Sequence, residues 1–188
     1  TPDGRPVRKA FLRYPVDYAR ISSGFSLARR HPVLNRVRAH KGIDFAAPSG
    51  TPIKAAGSGR VASRGRNGGY GNAVVLSHGK GITTLYGHMS RYAKGLSVGD
   101  RVSQGQVIGY VGMTGLASGP HVHYEYRING VHKNPAKVTV PKADPIPASQ
   151  MADFKAQTAP LLARLDPPAP APVQVARAPV GTGDSAGR

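Results

Sequence analysis

The feature that most constrains the fold is an alternation of short runs rich in β-branched residues with glycine-rich turns, which extends over residues 21–140. Residues 72–76, 82–86 and 106–111 are examples of such runs. Short apolar runs bounded by glycine are typical of β-strands, and residues 77–81, Ser-His-Gly-Lys-Gly, fit a hairpin turn that needs positive φ angles. We therefore predict an all-β or β-dominated fold of antiparallel sheets.

Size and composition fit one hydrophobic core. The chain has 188 residues, of which 39% are hydrophobic, and it contains 24 glycines and 17 prolines. Tryptophan is absent and only four phenylalanines are present, so the core must be built from valine, isoleucine, leucine, alanine and the eight tyrosines. Such side chains suit short strands better than a thick helical bundle.

Composition divides the chain into four parts. Residues 1–20 are basic and form either an entry strand or the remnant of an upstream region, and residues 21–141 form the folded domain. Residues 142–166 are a linker that contains a helix over residues 149–165, despite a proline inside it. Residues 167–188 are rich in proline and alanine and have too little apolar surface to offset their ordering entropy, so we predict a disordered tail.

The formal charge of +17, from 26 basic and nine acidic residues, implies an anionic partner. Nucleic acid, a membrane surface and a polyanionic cell-wall polymer all attract such a charge, which does not choose among them. Because cysteine is absent, any metal site must use histidine and carboxylate ligands. No apolar run approaches the roughly 20 residues of a membrane span, and no signal region opens the chain, so we expect a processed or truncated soluble piece without a membrane span.

Two histidines, His121 and His123, lie two residues apart in the run Pro120-His-Val-His-Tyr. Side chains two residues apart on a strand project from the same face, so both imidazoles converge on one surface. A lone pair of this kind is more often a surface or core feature than a metal site.

His40 and Asp44 form a second pair of metal-ligating types. Gly42 argues against a helix between them, and a fully extended path would separate them by about 13 Å, too far for one metal ion. The chain must therefore bend, and Gly42 is the residue able to do so. Histidine and carboxylate are correct donors for Zn²⁺, and three protein ligands with an open fourth position define a catalytic site.

The remaining histidines carry less information. His88 lies in the run Leu85-Tyr-Gly-His-Met and, taken alone, fits a satisfied histidine at the end of a strand. His31, His78 and His132 have no partner motif, and we interpret them as structural or surface groups. Each motif arises often by chance, so it is their combination that indicates a metal site.

Three blocks of sequence together resemble the LytM/lysostaphin family of zinc metallopeptidases: His40-Lys-Gly-Ile-Asp-Phe-Ala-Ala-Pro-Ser-Gly-Thr-Pro-Ile, Tyr86-Gly-His-Met and Gly119-Pro-His-Val-His-Tyr-Glu. The blocks occur in the family's order, and the resemblance covers roughly residues 21–141. Phe11-Leu-Arg and the segment around Asp153-Phe are further similar to the cell-wall DD-endopeptidases of Gram-negative bacteria.

The resemblance implies a lysostaphin-like fold of duplicated hybrid type, in which antiparallel sheets form a groove and the C-terminal helix lies outside. It also implies one Zn²⁺ per chain, held by His40, Asp44 and His123. His88 and His121 become the catalytic histidines, and which of them is the general base stays open.

One stretch departs from the family pattern. Lysostaphin-type members often carry a tyrosine shortly before the first ligand as an oxyanion donor, but residues 34–39 contain none, which disfavours cleavage of pentaglycine. The stretch instead holds Arg36 and Arg38, which either bind stem-peptide carboxylates through bidentate pairs or are solvated surface groups. Glu125 is the only glutamate and lies in no His-Glu-x-x-His motif, so proton transfer must fall to histidine.

These implications combine into an expected function. We expect a zinc metalloendopeptidase that hydrolyses peptide cross-links of bacterial peptidoglycan at a D-alanyl to diaminopimelate bond, in the periplasm or associated with the cell wall outside the cell. Its partners are peptidoglycan stem peptides, a regulatory protein being left open. The alternative is a non-catalytic family member that binds cell wall or activates a partner hydrolase. A nucleic-acid binder has only the charge in its favour, so we expect no nucleic-acid partner.

Overall fold

The structure, a computed structural model, describes residues 1–5, 9–17, 19–30, 37–139 and 145–165, with side chains left out at residues 29, 30, 37 and 38. The chain divides into two compact units, one of residues 6–145 and one of residues 1–5 with 146–188. Its strands are β1 (Arg20–Ser23), β2 (Ser26–Arg30), β3 (Val37–His40), β4 (Ile43–Ala46), β5 (Pro52–Lys54), β6 (Gly59–Arg66), β7 (Asn72–Ser77), β8 (Ile82–Gly87), β9 (Met89–Tyr92), β10 (Arg101–Val102), β11 (Val107–Val111), β12 (His121–Ile128) and β13 (Val131–Lys133).

The strands of the larger unit form three sheets. The first has the order β1-β4-β12-β8-β7-β6-β10, with β13 also paired to β12, the second the order β5-β11-β9, and the third joins β2 to β3. All of these pairings are antiparallel, which confirms the predicted fold class. The predicted hairpin is also confirmed, because β7 and β8 pair across residues 77–81 and Gly79, Lys80 and Gly81 have positive φ angles.

The core lies on one face of β12, and the alternation of that strand decides which side chains enter it. Val122, Tyr124 and Tyr126 belong to the core cluster, while His123 and Glu125 project from the opposite face. Tyrosines are among the largest fully buried side chains of the core, as the absence of tryptophan predicts. Burial of each valine, leucine, isoleucine, phenylalanine or methionine side chain of this core contributes roughly 1.5–3 kcal/mol relative to exposure.

The core extends to the N-terminal side of residue 21, where we predict the domain to start. Phe11 is 7% exposed and packs edge-on against His78 and Tyr126. The backbone of the same segment is tied down as well, since Leu12 N donates to Ala56 O at 2.6 Å. The described residues 9–17 are therefore part of the packed unit.

The smaller unit contains the helix α1 (Met151–Leu165), which begins two residues later than predicted, after a 3₁₀ turn over Ala148–Gln150. Within this unit the Ile146 amide donates to Gly4 O at 3.1 Å, and Gly4 leaves room for the Met151 side chain. The helix carries Pro160 in its interior and ends at Leu165. The predicted disordered tail, residues 167–188, lies outside the described residues and stays a prediction. No helix in the described part of the chain is long and apolar enough to span a membrane.

Candidate metal centre and its surroundings

Three side chains of metal-ligating type meet where β3, β4 and β12 come together. His40 Nε2 lies 3.0 Å from Asp44 Oδ1, and His123 Nδ1 lies 2.7 Å from the same oxygen. The two imidazole nitrogens are 3.2 Å apart. Within the described residues, these three form the one cluster of histidine, cysteine and acidic groups whose ligand atoms all lie within 4.8 Å of one another.

Register and one tight turn bring the three groups together. Asp44 and His123 are direct cross-strand partners in the β4–β12 pair. The chain bends at Lys41 and Gly42, between the end of β3 and the start of β4, as the sequence requires. A Cβ on Gly42 would lie 2.5 Å from Tyr124 O and 2.7 Å from His123 Nε2, so only glycine lets the turn approach β12 so closely.

The ring nitrogen of His40 that does not contact Asp44, Nδ1, is held by a backbone carbonyl and a hydroxyl. His40 Nδ1 lies 2.7 Å from Gly24 O and 3.2 Å from the Ser23 hydroxyl. Because a carbonyl oxygen only accepts, Nδ1 carries the proton in the neutral ring, which leaves a lone pair on Nε2, the nitrogen that a metal ion would bind. Burial would raise the pKa of the Asp44 carboxyl, but hydrogen bonds with His123 and His40 outweigh it and hold the pKa below its ordinary value.

Glu125 is a wholly buried carboxylate behind the cluster, and it is surrounded by donors. Its Oε1 accepts from Tyr70 OH at 2.7 Å and lies 3.1 Å from His123 Nε2, while Oε2 accepts from Arg127 Nε at 2.8 Å and lies 3.0 Å from His132 Nε2. Burial would raise the pKa of Glu125, but the hydrogen bonds from His123, Tyr70 and Arg127 outweigh it and lower the pKa to about 2. Glu125 is therefore ionised at neutral pH.

The contact with Glu125 determines which ring nitrogen of His123 carries a proton. An ionised carboxylate only accepts, so His123 Nε2 carries a proton and the opposite nitrogen, Nδ1, faces Asp44 and His40. Burial would lower the pKa of His123, but its hydrogen bonds with Asp44 and Glu125 outweigh it and raise the pKa to about 8. A metal ion held by His123 Nδ1 would take the place of the second proton, because a ligating histidine must be neutral.

His88 and His121 lie beside the cluster, with ring centroids 4.5 Å apart. Each has its Nδ1 2.8 Å from a backbone carbonyl, that of Thr114 for His88 and that of Gly119 for His121. Both rings therefore present an unprotonated Nε2 when neutral. His121 Nε2 lies 3.8 Å from Asp44 Oδ1.

The backbone of His88 is held in an uncommon conformation between β8 and β9. Its φ angle is 60°, in the left-handed region that a non-glycine residue rarely occupies. The His88 amide donates to Tyr70 O at 2.7 Å. The next residue, Met89, is also held in place, because its carbonyl oxygen accepts hydrogen bonds from Asn72 Nδ2 and the Thr114 hydroxyl. Burial lowers the pKa of His88 to about 4, so the ring is neutral at pH 7.

Some predicted residues lie outside this cluster. Arg36 and His31 lie outside the described residues, and the Arg38 side chain does as well, so the proposed carboxylate-binding role of the two arginines stays a prediction. His78 bonds to Ser58 O and the Thr84 hydroxyl, both at 2.8 Å, which agrees with its interpretation as a structural group.

Sequence reasoning missed the groups that contact Glu125. His132 has no motif of its own, and Tyr70 lies in a glycine-rich turn 55 residues before Glu125. The one available signal was period-two alternation, which puts Glu125 on the same face of β12 as His123. Tyr70 also lies close to His123, with ring centroids 5.5 Å apart.

Comparison with known proteins agrees with this geometry. The family model described as peptidase family M23 matches residues 38–135. The peptidoglycan DD-endopeptidase ShyC of Vibrio cholerae is 43% identical over 164 residues, which are 87% of this chain and 37% of that protein. The chain thus spans little more than a third of the length of this relative.

Solved structures give the same result. A zinc-containing peptidase from Vibrio cholerae matches with a TM-score of 0.66 and 35% identity, over 75% of this chain and 46% of that one. The catalytic domain of lysostaphin from Staphylococcus simulans matches with a TM-score of 0.56 and 31% identity, over 62% of this chain and 89% of that one. The resemblance to the LytM/lysostaphin family is confirmed by these matches. The chain belongs to peptidase family M23.

Proposed function

We propose that this protein is a zinc-dependent endopeptidase that cleaves peptide cross-links of bacterial peptidoglycan, at the bond between D-alanine and diaminopimelate. The observation that carries the proposal is the convergence of His40, Asp44 and His123 beside two histidines, His88 and His121, whose Nδ1 atoms are each held by a backbone carbonyl. The relative ShyC, named a peptidoglycan DD-endopeptidase, supports the choice of substrate.

The donor set fits Zn²⁺. Donors about 2.0–2.2 Å from a tetrahedral ion lie roughly 3.3 Å from one another, and the three pairwise distances here are 3.0, 2.7 and 3.2 Å. Two neutral imidazoles and one carboxylate leave a fourth position for water or substrate, which is the arrangement of a catalytic zinc site. We assign His40 Nε2, Asp44 Oδ1 and His123 Nδ1 as the ligands of one zinc ion per chain.

Zinc in this position supplies a Lewis acid and lowers the pKa of a bound water. The two remaining histidines differ in their surroundings. His121 Nε2, which is unprotonated when the ring is neutral, lies 3.8 Å from Asp44 Oδ1, and we infer that His121 takes up the proton. His88, whose pKa is lowered by burial, stays neutral and orients the reactants by hydrogen bonding through Nε2.

The proposed substrate implies where the protein acts in the cell and what it binds. Hydrolysis of peptidoglycan puts the protein in the periplasm or at the cell wall, and the net charge of +17 favours association with an anionic sacculus. The complete donor set argues against the alternative of a non-catalytic member. A regulatory protein partner is consistent with this function.

The test is to incubate the full chain with purified sacculi and to identify the released muropeptides by mass spectrometry. We expect loss of cross-linked dimers, abolition of the loss by a chelator and restoration by added zinc. His121→Ala serves as the matched control, since it keeps the three ligands and removes the proton acceptor. If the dimers persist under all conditions, or disappear equally with the chelator present, the proposed function is wrong.

A further inference from the structure

Arg91 is a solvent-exposed arginine held flat against an aromatic ring. Its Cζ lies 3.9 Å from the ring centroid of Tyr110, its direct cross-strand partner in the β9–β11 pair. Within the described part of the chain its guanidinium has no hydrogen bond and no ion pair. Stacking restricts the orientation of the guanidinium, while its N–H groups remain free to bind a carboxylate in bidentate fashion.

Alternation along β11 puts the stack on the same face as His121, and the register shift between Tyr110 and Val111 leaves this alternation in place because the extra residue, Ser90, belongs to β9. Tyr110 and Gly112 are two residues apart on extended backbone, and Gly112 is bridged to His121. Val111, between them, is fully buried in the core and points the other way. At about 3.3 Å per residue, Tyr110 lies roughly 7 Å along the strand from the partner of His121. At the same rise, an extended peptide covers that distance in about two residues.

Ser90 lies close to both Gly112 and Tyr110. A Cβ on Gly112 would lie 2.3 Å from Ser90 N, and the Ser90 hydroxyl bonds to Tyr110 O at 3.3 Å. His88 lies two residues before Ser90, at the start of the same segment. Arg91 therefore follows His88 by three residues in the same segment.

A second stack of the same kind provides an internal comparison. Arg64 is exposed and lies over Tyr92, with Cζ 4.3 Å from the ring centroid. Tyr92 packs against the core and follows Arg91 directly on β9, so its side chain points to the opposite face. Arg64 thus has the same chemistry as Arg91 but lies on a different surface.

We propose that Arg91, oriented by Tyr110, is a carboxylate-binding subsite beside the candidate metal centre, which holds a free carboxylate of the cross-linked stem peptide on one side of the scissile bond. The inference rests on the proposed function, because it names the substrate group that the same site selects. Arg91 is a further candidate for carboxylate binding beside the predicted Arg36 and Arg38. Unlike the side chains of those two arginines, it lies within the described part of the chain.

The test compares two substrates and two matched variants of the full chain. The substrates are a purified cross-linked muropeptide dimer with free carboxylates and the same dimer with its carboxylates amidated. For the wild type we expect amidation to raise KM about tenfold, as loss of one charge-assisted contact does. Arg91→Gln raises KM for the free dimer by a similar factor, keeps kcat, and removes most of the preference. Arg64→Gln keeps the wild-type values.

The outcomes separate this inference from the proposed function. If the wild type cleaves both dimers and Arg91→Gln retains the full preference for free carboxylates, the subsite is wrong and the function stands. If the wild type cleaves neither dimer, the function fails, and calorimetric titration of the free dimer into wild type and Arg91→Gln decides the subsite, with equal Kd values overturning it. Unchanged melting temperatures of both variants exclude a folding defect.

Discussion

His123 donates a hydrogen bond from Nε2 to Glu125 Oε1 across 3.1 Å, and this contact decides which nitrogen of the ring faces Asp44. Glu125 is two residues further along β12 and wholly buried, so the strand itself sets the geometry of the pair. Metal-binding histidines commonly have such a carboxylate behind them, which orients the ring and raises the basicity of the ligating nitrogen.

Glu125→Gln should weaken zinc binding by about tenfold to a hundredfold, because the neutral amide no longer fixes the tautomer of His123 or favours its ligation. Zinc affinity is measured by competition with a chromophoric chelator. Asp153→Asn, a change on the exposed helix α1, is the control for loss of one acidic group. An unchanged zinc affinity in Glu125→Gln would contradict the positioning role.

The assignment of the four histidines predicts two classes of variant. His40→Ala and His123→Ala should lose zinc, activity and some stability together, because bound metal supports the folded state. His88→Ala and His121→Ala should keep nearly one zinc per chain but lower kcat by about 10² to 10⁴. Metal analysis and steady-state kinetics on the same preparations check this. If His121→Ala loses zinc as completely as His123→Ala does, the role of His121 as a non-ligand is wrong.

Gly42→Ala should abolish zinc binding, since the added Cβ would meet Tyr124 O and the ring of His123 at less than 3 Å. Gly24→Ala is the matched control, because a Cβ there meets nothing within 4 Å and the Gly24 carbonyl that bonds His40 is retained. Zinc content and melting temperature distinguish the two variants. Full zinc occupancy in Gly42→Ala would show that the turn has more freedom than the structure indicates.

The buried ring of His88 predicts a pH dependence of stability in the zinc-free protein. Its folded-state pKa is lowered from 6.5 to about 4, so the unfolded chain binds more protons between these values. The stabilisation is therefore present above pH 6.5 and is lost as the pH falls towards 4. Between pH 7 and 5 the wild type should lose roughly 1 kcal/mol more than His88→Asn, a residue that tolerates the left-handed backbone. Equal losses in urea denaturation would refute this.

Local patterns predict much of the fold and part of the site. Alternation along residues 121–128 indicates that His121 and His123 share a face, and the spacing of His40 and Asp44 requires the bend at Gly42; both follow from neighbours in the chain. The contact between Tyr70 and Glu125 does not, because it depends on how a turn between β6 and β7 folds over β8 and β12. The start of α1 at Met151 rather than at residue 149 reflects the 3₁₀ turn that precedes it.

Strand β12 carries core side chains on one face and the histidines of the candidate site on the other, and this has a consequence for correct folding. A shift of this strand by one residue against β4 or β8 would expose Tyr124 and Tyr126 and bury the imidazoles in their place. A misregistered chain therefore loses its hydrophobic interior and its proposed metal ligands in the same event. Zinc uptake by a refolded sample consequently reports that β12 has found its native neighbours, without any assay of hydrolysis.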